Sequence, residues 1–392
     1  MKSFSLLGSA DHHWKRLGSR FAECQRIHAW TVEQTRLRAP DVFVSAGDLY
    51  EENSTPADRE ATADWVTAIT ETCPFVIAKG NHDRDLDLAY LRRLRTKFPV
   101  HVVESCGIVH IGPAAIAVVA WPNRSSLAAM LPGANAEQLD DATGDALRNV
   151  LSMLGAELAA HDGPRVLVGH FQIDGAVTSV GQPLIGGGMR LGLADLALAR
   201  ADIALCGHIH RPQAWTHGGT EIVMCGSPFR TAFGEVEEKS IVSARWEHWD
   251  GEVTEPGGCR WALEGWDRLP TPSTPMLLLS GRWEGDGRGL VLDDETAACV
   301  AGAEVRFRYQ VASDQQAIAR AEAAKLREAW LVAGAVRVEV EKEVVPVVRA
   351  RAPEVSRVAT LPEQLDIHWA SRGITLDPTR RARLHQKLGE LG

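Results

Sequence analysis

Along the first 245 positions, apolar residues come in short runs separated by longer stretches in which they recur every three or four positions. Phe4–Gly8, Asp41–Ala46, Phe75–Ala78, Ala115–Trp121, Val166–Gly169 and Ile203–Cys206 are such runs and read as buried strands. The stretches 20–38, 57–72, 86–98 and 136–160 carry helical spacing. Strand and helix in alternation predict an α/β fold.

The pattern changes after that. Residues 250–275 contain Asp-Gly, Pro-Gly-Gly and Pro-Thr-Pro-Ser-Thr-Pro, which is linker chemistry. Beyond it, Glu304–Val311 alternates, with Val305, Phe307, Tyr309 and Val311 on one face and Arg306, Arg308 and Gln310 on the other. Ser313 with Gln316 predicts a helix start and a helix to about Val332, and Val336–Val340 alternates again. This is a β-α-β module. The last stretch predicts a helical hairpin: Leu361–Ser371, a stop at Gly373, then a second helix with Asp377 as cap and Pro378 at its first position. Leu384, Leu388 and Leu391 fall on one stripe of that helix, which either packs on the body of the protein or docks on another one. The expected boundaries are 1–245, a linker at 246–275, a module at 276–345 and the hairpin at 346–392.

Composition narrows the classes. A chain of 392 residues with 45% hydrophobic and 24% charged residues suits two or three globular domains. The start MKSFSLLGSADHH reads as a first strand and not as a signal peptide, and no apolar run is long enough to cross a membrane, so no membrane association is expected. Seven Cys stand apart with no CxxC pairing, which predicts reduced thiols and a cytoplasmic setting. The net charge of −9 excludes a protein that grips DNA over its whole surface. Residues 301–392 differ, with 15 Lys and Arg against 12 Asp and Glu.

Candidate chemistry lies where the runs end. Asp11-His12-His13, Gly47-Asp48, Gly80-Asn81-His82-Asp83, Gly169-His170 and Gly207-His208-Ile209-His210 each follow an apolar run. Any one of them alone reads as an ordinary turn or loop. Active sites of open α/β sheets lie at the carboxyl ends of strands, so five such ends would gather carboxylates, an amide and imidazoles in one place. The i, i+2 pairs Asp11/His13 and His208/His210 point to one side in extended backbone. Asp48 is the natural bridging carboxylate, and Asn81 offers a neutral carbonyl oxygen. These types suit two divalent cations, which can clamp a phosphate and stabilise a leaving oxygen. Oxygen and imidazole together fit Mn2+ or Fe, and they admit Mg2+ or Zn2+; thiols play no part. The remaining nine His, including His12, His28, His101 and His161, are read as core or surface.

Taken together, the five motifs resemble those of the calcineurin-like metallophosphoesterase superfamily. The resemblance implies a pair of β-sheets between helices, an αββα sandwich. It assigns a first metal to Asp11, His13, Asp48 and His210, a second to Asp48, Asn81, His170 and His208, and the catalytic role to His82. Gly226-Ser227-Pro228-Phe229-Arg230, Phe233-Gly234-Glu235, Glu238-Lys239 and Gly207–Gln213 further resemble the SbcD-type DNA repair exonucleases. That resemblance implies an exo- and endonuclease on DNA using Mn2+, with the β-α-β module as a DNA-capping domain. It also implies a homodimer, and a hairpin that grips the coiled-coil base of an SbcC-like, SMC-type ATPase. Glu51 departs from the family, which often has His or Asp there; if its side chain orients His82, it does so as a carboxylate. Two other readings stand beside this one: a phosphoesterase on a small-molecule or protein substrate, and a metal-free scaffold.

Overall fold

The structure is a computed structural model that describes residues 2–122, 135–179, 190–249, 260–285, 287–293, 299–345 and 360–389. The chain forms two compact units: 1–279 with 294–307 and 327–340, and 280–293 with 308–326 and 341–392.

The first unit opens with β1 (Ser3–Ser9), α1 (Phe21–Arg38), β2 (Val42–Ser45), α2 (Pro56–Thr70), β3 (Phe75–Ala78) and β4 (Val100–Val103). It continues with β5 (Cys106–Ile111), β6 (Ala114–Val119), α3 (Ala136–Ala159), β7 (Arg165–His170), β8 (Gln172–Ile173), β9 (Arg190–Leu191) and α4 (Leu193–Ala197). Then come β10 (Ile203–Gly207), β11 (Gln213–His217), β12 (Thr220–Met224), β13 (Ser240–His248) and β14 (Trp261–Pro270). Two six-stranded sheets result, in the orders β14-β13-β1-β2-β3-β4 and β11-β12-β10-β7-β6-β5. β1 to β4 are mutually parallel, as are β6, β7, β10 and β12, so the expected α/β fold is present.

The strands that read as continuous apolar runs are buried on both faces. Leu6, Val44 and Val76 of one sheet meet Val118, Val168 and Leu205 of the other. Their neighbours Leu7, Phe43 and Ile77 point the opposite way onto Ile27, Trp65 and Ile69 of α1 and α2. Leu167 and Ala204 likewise pack on Leu151, Leu154 and Leu158 of α3. The unit is therefore helices, sheet, sheet, helices, the four layers of an αββα sandwich. Helix α2 starts at a capping box in which Thr55 accepts from the Asp58 amide and Asp58 returns the bond, with Pro56 in the first turn.

Two expectations need correction. The stretch 86–98 is not a helix: only a 3-10 turn forms, at Ala89–Arg93. Leu86 sits at φ 70°, and the Asp87 carboxylate is taken by Ser54 and Arg59, so the helical spacing never finds a helical start. Part of the segment expected as linker, Trp261–Pro270, is β14, the edge strand paired along β13; its Trp261, Leu263 and Trp266 pack on the intersheet core.

Beyond β14 come β15 (Met276–Trp283), β16 (Leu290–Leu292), β17 (Glu304–Ala312), α5 (Gln316–Val332) and β18 (Arg337–Val345), with sheet order β16-β15-β17-β18. Val305, Phe307, Tyr309 and Val311 are buried, as their alternation predicts. In the second unit, α6 (Leu361–Ser371) and α7 (Pro378–Gly389) form the hairpin. Thr360 caps α6, Gly373 takes φ 65° after it, and Asp377 accepts from the amides of Thr379 and Arg380. Asp366 ties the two helices through Arg381 and His385. No residue of α6 is buried, Leu384 and Leu388 are half-buried, and Leu391 lies outside the described residues.

Candidate metal centre

The parallel strands of both sheets end on one side of the first unit, and the candidate residues follow those ends. The β1 loop is laced to the β2 loop: Asp11 donates its amide to Gly47 O, and His12 and His13 donate theirs to Asp48 O. Seven non-glycine described residues have positive φ, and four of them are Asp11 (53°), His13 (47°), Asp48 (51°) and His208 (102°). A left-handed backbone at a β-carbon-bearing residue costs about 1–3 kcal/mol, so strain gathers at these loops and the surrounding hydrogen bonds hold it. A side chain at Gly80 would force the second loop to shift: a Cβ there would lie 2.2 Å from both the amide nitrogen and Oδ1 of Asp48. Gly47, at φ 96°, brings the backbone against the His170 ring in the same way.

These loops bring every candidate ligand to one end of the sandwich. Possible ligating atoms of Asp11, His13 and His210 lie within 4.8 Å of one another, and so do those of Asp48, His170 and His208. Asn81 Oδ1 is 2.8 Å from His170 Nε2 and 2.9 Å from His208 Nδ1. His13 Nε2 and His210 Nε2 face each other at 2.9 Å. Asp48 spends one oxygen on the His82 amide (2.8 Å) and turns the other to His170 Nε2 (3.2 Å). Asp11 Oδ1 accepts from the His208 amide, while its Oδ2 is buried with no hydrogen-bond partner. A buried carboxylate oxygen without a donor is costly, and imidazole nitrogens set face to face can use a proton on only one ring of each pair. Cations satisfy both, so the residues present fit two divalent ions.

The electrostatics agree. Burial disfavours charge on His13, yet Glu51, Asp48 and Asp11 outweigh it and push its pKa up to about 9. His170 rises to about 9 against its burial, through Asp48 and Asp11. Asp48 stays ionised far below the carboxylate range despite burial, because His170, His13 and His82 surround it. Burial and the neighbouring His170 push His208 down to about 3, which leaves it a neutral donor. The pocket attracts positive charge.

Several supporting residues were not assigned from sequence. Asp83, the last residue of the Gly-Asn-His-Asp run, accepts from the amides of Leu49, Tyr50 and Gly80 and so pins the second and third loops together. Burial beside Asp48 pushes its pKa up. Trp121 stacks on His208 at 5.0 Å. Glu235 Oε1 lies 3.1 Å from His210 Nδ1 and holds an ion pair with the fully buried Lys239. Opposed by burial but favoured by His210 and Lys239, the Glu235 carboxyl drops to about 2. Glu51 works differently from the expectation placed on it. Its carboxylate forms an ion pair with His13 Nδ1 at 2.9 Å, and its backbone carbonyl, not its side chain, accepts from His82 Nδ1 at 2.6 Å. His12 and His28 are core residues, joined ring to ring at 2.8 Å and kept neutral chiefly by burial. The ligands open onto a cleft of about 400 Å³ that Lys15, Arg20, Phe21 and His82 also line.

Such a centre, on such a sandwich, defines a metal-dependent phosphoester hydrolase. The chain belongs to the calcineurin-like phosphoesterase family, whose profile matches residues 5–212. No curated protein matches it. Solved structures that align with the chain include the anchor of the inner membrane complex of Plasmodium, at 12% identity and TM-score 0.42, over 62% of this chain and 81% of that one. A dimetal phosphatase from Danio rerio aligns at 12% identity and TM-score 0.36, over 62% of this chain and 92% of that one. The phosphopantetheinyl hydrolase of Mycobacterium tuberculosis aligns at 16% identity and TM-score 0.32, over 57% and 90%. No helix among the described residues is long and apolar enough to cross a membrane.

Proposed function

We propose that this chain is a Mn2+-dependent DNA exonuclease and endonuclease of the SbcD type, the nuclease subunit of a complex with an SbcC-like ATPase. The observation that carries this reading is the role of the segment 226–239. It is the stretch that resembles the nucleases, and it supplies Glu235 and Lys239, which brace the ligand His210. The chain also continues well past the sandwich into a four-stranded sheet and a helical hairpin, which hydrolysis of a small phosphoester does not require.

In this reading Asp11, His13, Asp48 and His210 would hold one cation, and Asp48, Asn81, His170 and His208 would hold the other, so that Asp48 serves both. When bound, the two ions polarise the phosphate and acidify the attacking water. The chain's own residues do the rest. His82 lines the cleft, and its Nδ1 donates to Glu51 O, which fixes the ring; as the doubly protonated imidazolium it can pass its Nε2 proton to the leaving oxygen and become the neutral Nδ1–H ring. Glu51 and Glu235 orient His13 and His210. The 276–345 region guides duplex DNA, the hairpin binds the ATPase, and the subunit dimerises in the cytoplasm.

The test sets digestion of linear duplex DNA with Mn2+ beside hydrolysis of a nitrophenyl phosphate monoester and diester. The nuclease reading expects duplex cleavage that chelation abolishes. Efficient hydrolysis of the monoester with no cleavage of DNA would instead favour a phosphatase on a small or protein substrate.

A further inference from the structure

The proposed pair of cation positions is not backed alike. In the second position, His170 Nδ1 rests on a neutral backbone carbonyl, Ala46 O, at 2.8 Å. In the first, both imidazoles have a carboxylate behind them: Glu51 at His13 and Glu235 at His210. The two carboxylates also differ. Glu51 has a side chain 41% exposed, whereas that of Glu235 is 2% exposed and fully engaged. Glu235 Oε1 accepts from Thr231 Oγ1 at 2.7 Å, and Oε2 lies 2.7 Å from Lys239 Nζ. Lys239 is itself buried and donates to His210 O, Ser227 Oγ and Glu237 Oε1. Thus one buried ion pair grips both the ring and the backbone of a single ligand.

We propose that Glu235 is the positioning residue of the first cation position, and that it makes that position the tighter of the two. The carboxylate can only accept, so His210 Nδ1 carries the proton and Nε2, facing His13, keeps its lone pair for the cation. The carboxylate also adds negative charge behind the ring, which raises its strength as a donor. Lys239 holds Glu235 in place from its other oxygen. This deepens the reading of a two-cation centre and rests on it.

The test is a calorimetric Mn2+ titration of the metal-stripped full chain, with bound metal counted by elemental analysis. Uptake of two equivalents by the wild type checks the two-cation reading separately. In Glu235→Gln the tighter step is expected to weaken by about 10–100-fold while the weaker step stays put. The signal of magnetically coupled Mn2+ at two equivalents of metal should not exceed that of the wild type, and excess metal should restore any loss. Because the substitution leaves Lys239 with Glu237 as its only carboxylate partner, the double variant Glu235→Gln, Lys239→Met removes the whole Glu235–Lys239 pair, and circular dichroism reports its fold; the same shift is expected there. Unchanged affinity of both steps in either folded variant overturns the proposal, as does a shift confined to the weaker step. If neither variant folds, the pair serves the fold rather than the metal, and the proposal falls as well.

Discussion

The metal end of the sandwich and the C-terminal hairpin are built on opposite terms. At the metal end, polar groups are buried in strained loops: Asp11, Asp48, His170 and His208 are all inside, and three of them have positive φ. Each is held by hydrogen bonds that cross between loops, and the negative potential they make calls for cations. In the hairpin, charged groups point to water and apolar groups stay half-covered, with Leu361 and Ile374 exposed. Its internal ties are surface ion pairs at Asp366, which contribute little. One region is over-determined for a small charged ligand. The other is under-determined on its own, since a short amphipathic helix gains most of its stability from a surface to pack on. Buried polarity at the metal end marks an unfinished contact with an ion, and under the proposed function the half-covered stripe of the hairpin is where the ATPase would pack.

Substitutions can break this contrast, and the largest effect belongs to Asp48→Ala. A carboxylate between two cations should take both with it, so elemental analysis is expected to find neither, and turnover should be lost. Retention of one ion would show that Asp48 serves a single position. Next comes His82→Gln, which should keep both metals and lower turnover by about 10²–10⁴-fold. If metal content falls with activity, His82 is a ligand. Gly80→Ala is expected to cost about 10²-fold, because its Cβ displaces Asp48 by an ångström or more; a variant with normal kcat would mean that the loop relaxes freely.

Acid should separate the regions more gently. Glu235 has a folded pKa near 2, below its ordinary value of 4.5. Its contribution to stability is therefore complete above about 4.5 and is lost as pH falls toward 2. Glu235→Gln should flatten the acid limb of a melting-temperature profile in that window, and an unchanged limb would mean that the carboxylate gains nothing on folding. The smallest effect is expected in the hairpin. Leu384→Glu with Leu388→Glu should leave hydrolysis of a nitrophenyl phosphodiester within about a factor of two, since half-exposed sites carry little of the fold, while abolishing co-purification with the ATPase. Loss of the metals in that variant would tie the hairpin to the sandwich.

What the sequence disclosed follows from how strongly each residue's surroundings constrain it. Strands such as Phe75–Ala78 must be apolar on both faces, and they were legible to within a residue. The gathering of Asp11, His13, Asp48, Asn81, His170, His208 and His210 was legible because each follows such a strand directly. Residues 86–98 were misread because helical spacing does not reveal that Leu86 takes a left-handed φ. Strand β14 was hidden by the Pro and Gly on either side of it, and edge strands carry a weak apolar signal. The parts played by Glu51, Asp83, Glu235 and Lys239 depend on contacts between loops far apart in the chain. Spacing cannot supply those: Glu51 turned out to hold His82 through a backbone carbonyl, an atom that every residue has.

The central claim is that hydrolysis here needs two cations held at the ends of β1, β2, β3, β7 and β10. The direct measurement is the rate on a nitrophenyl phosphodiester as Mn2+ is added, one equivalent at a time, to metal-stripped protein. The account predicts near silence up to one equivalent per chain and a steep rise between one and two. Full activity at one equivalent, or activity that survives complete chelation, would contradict it.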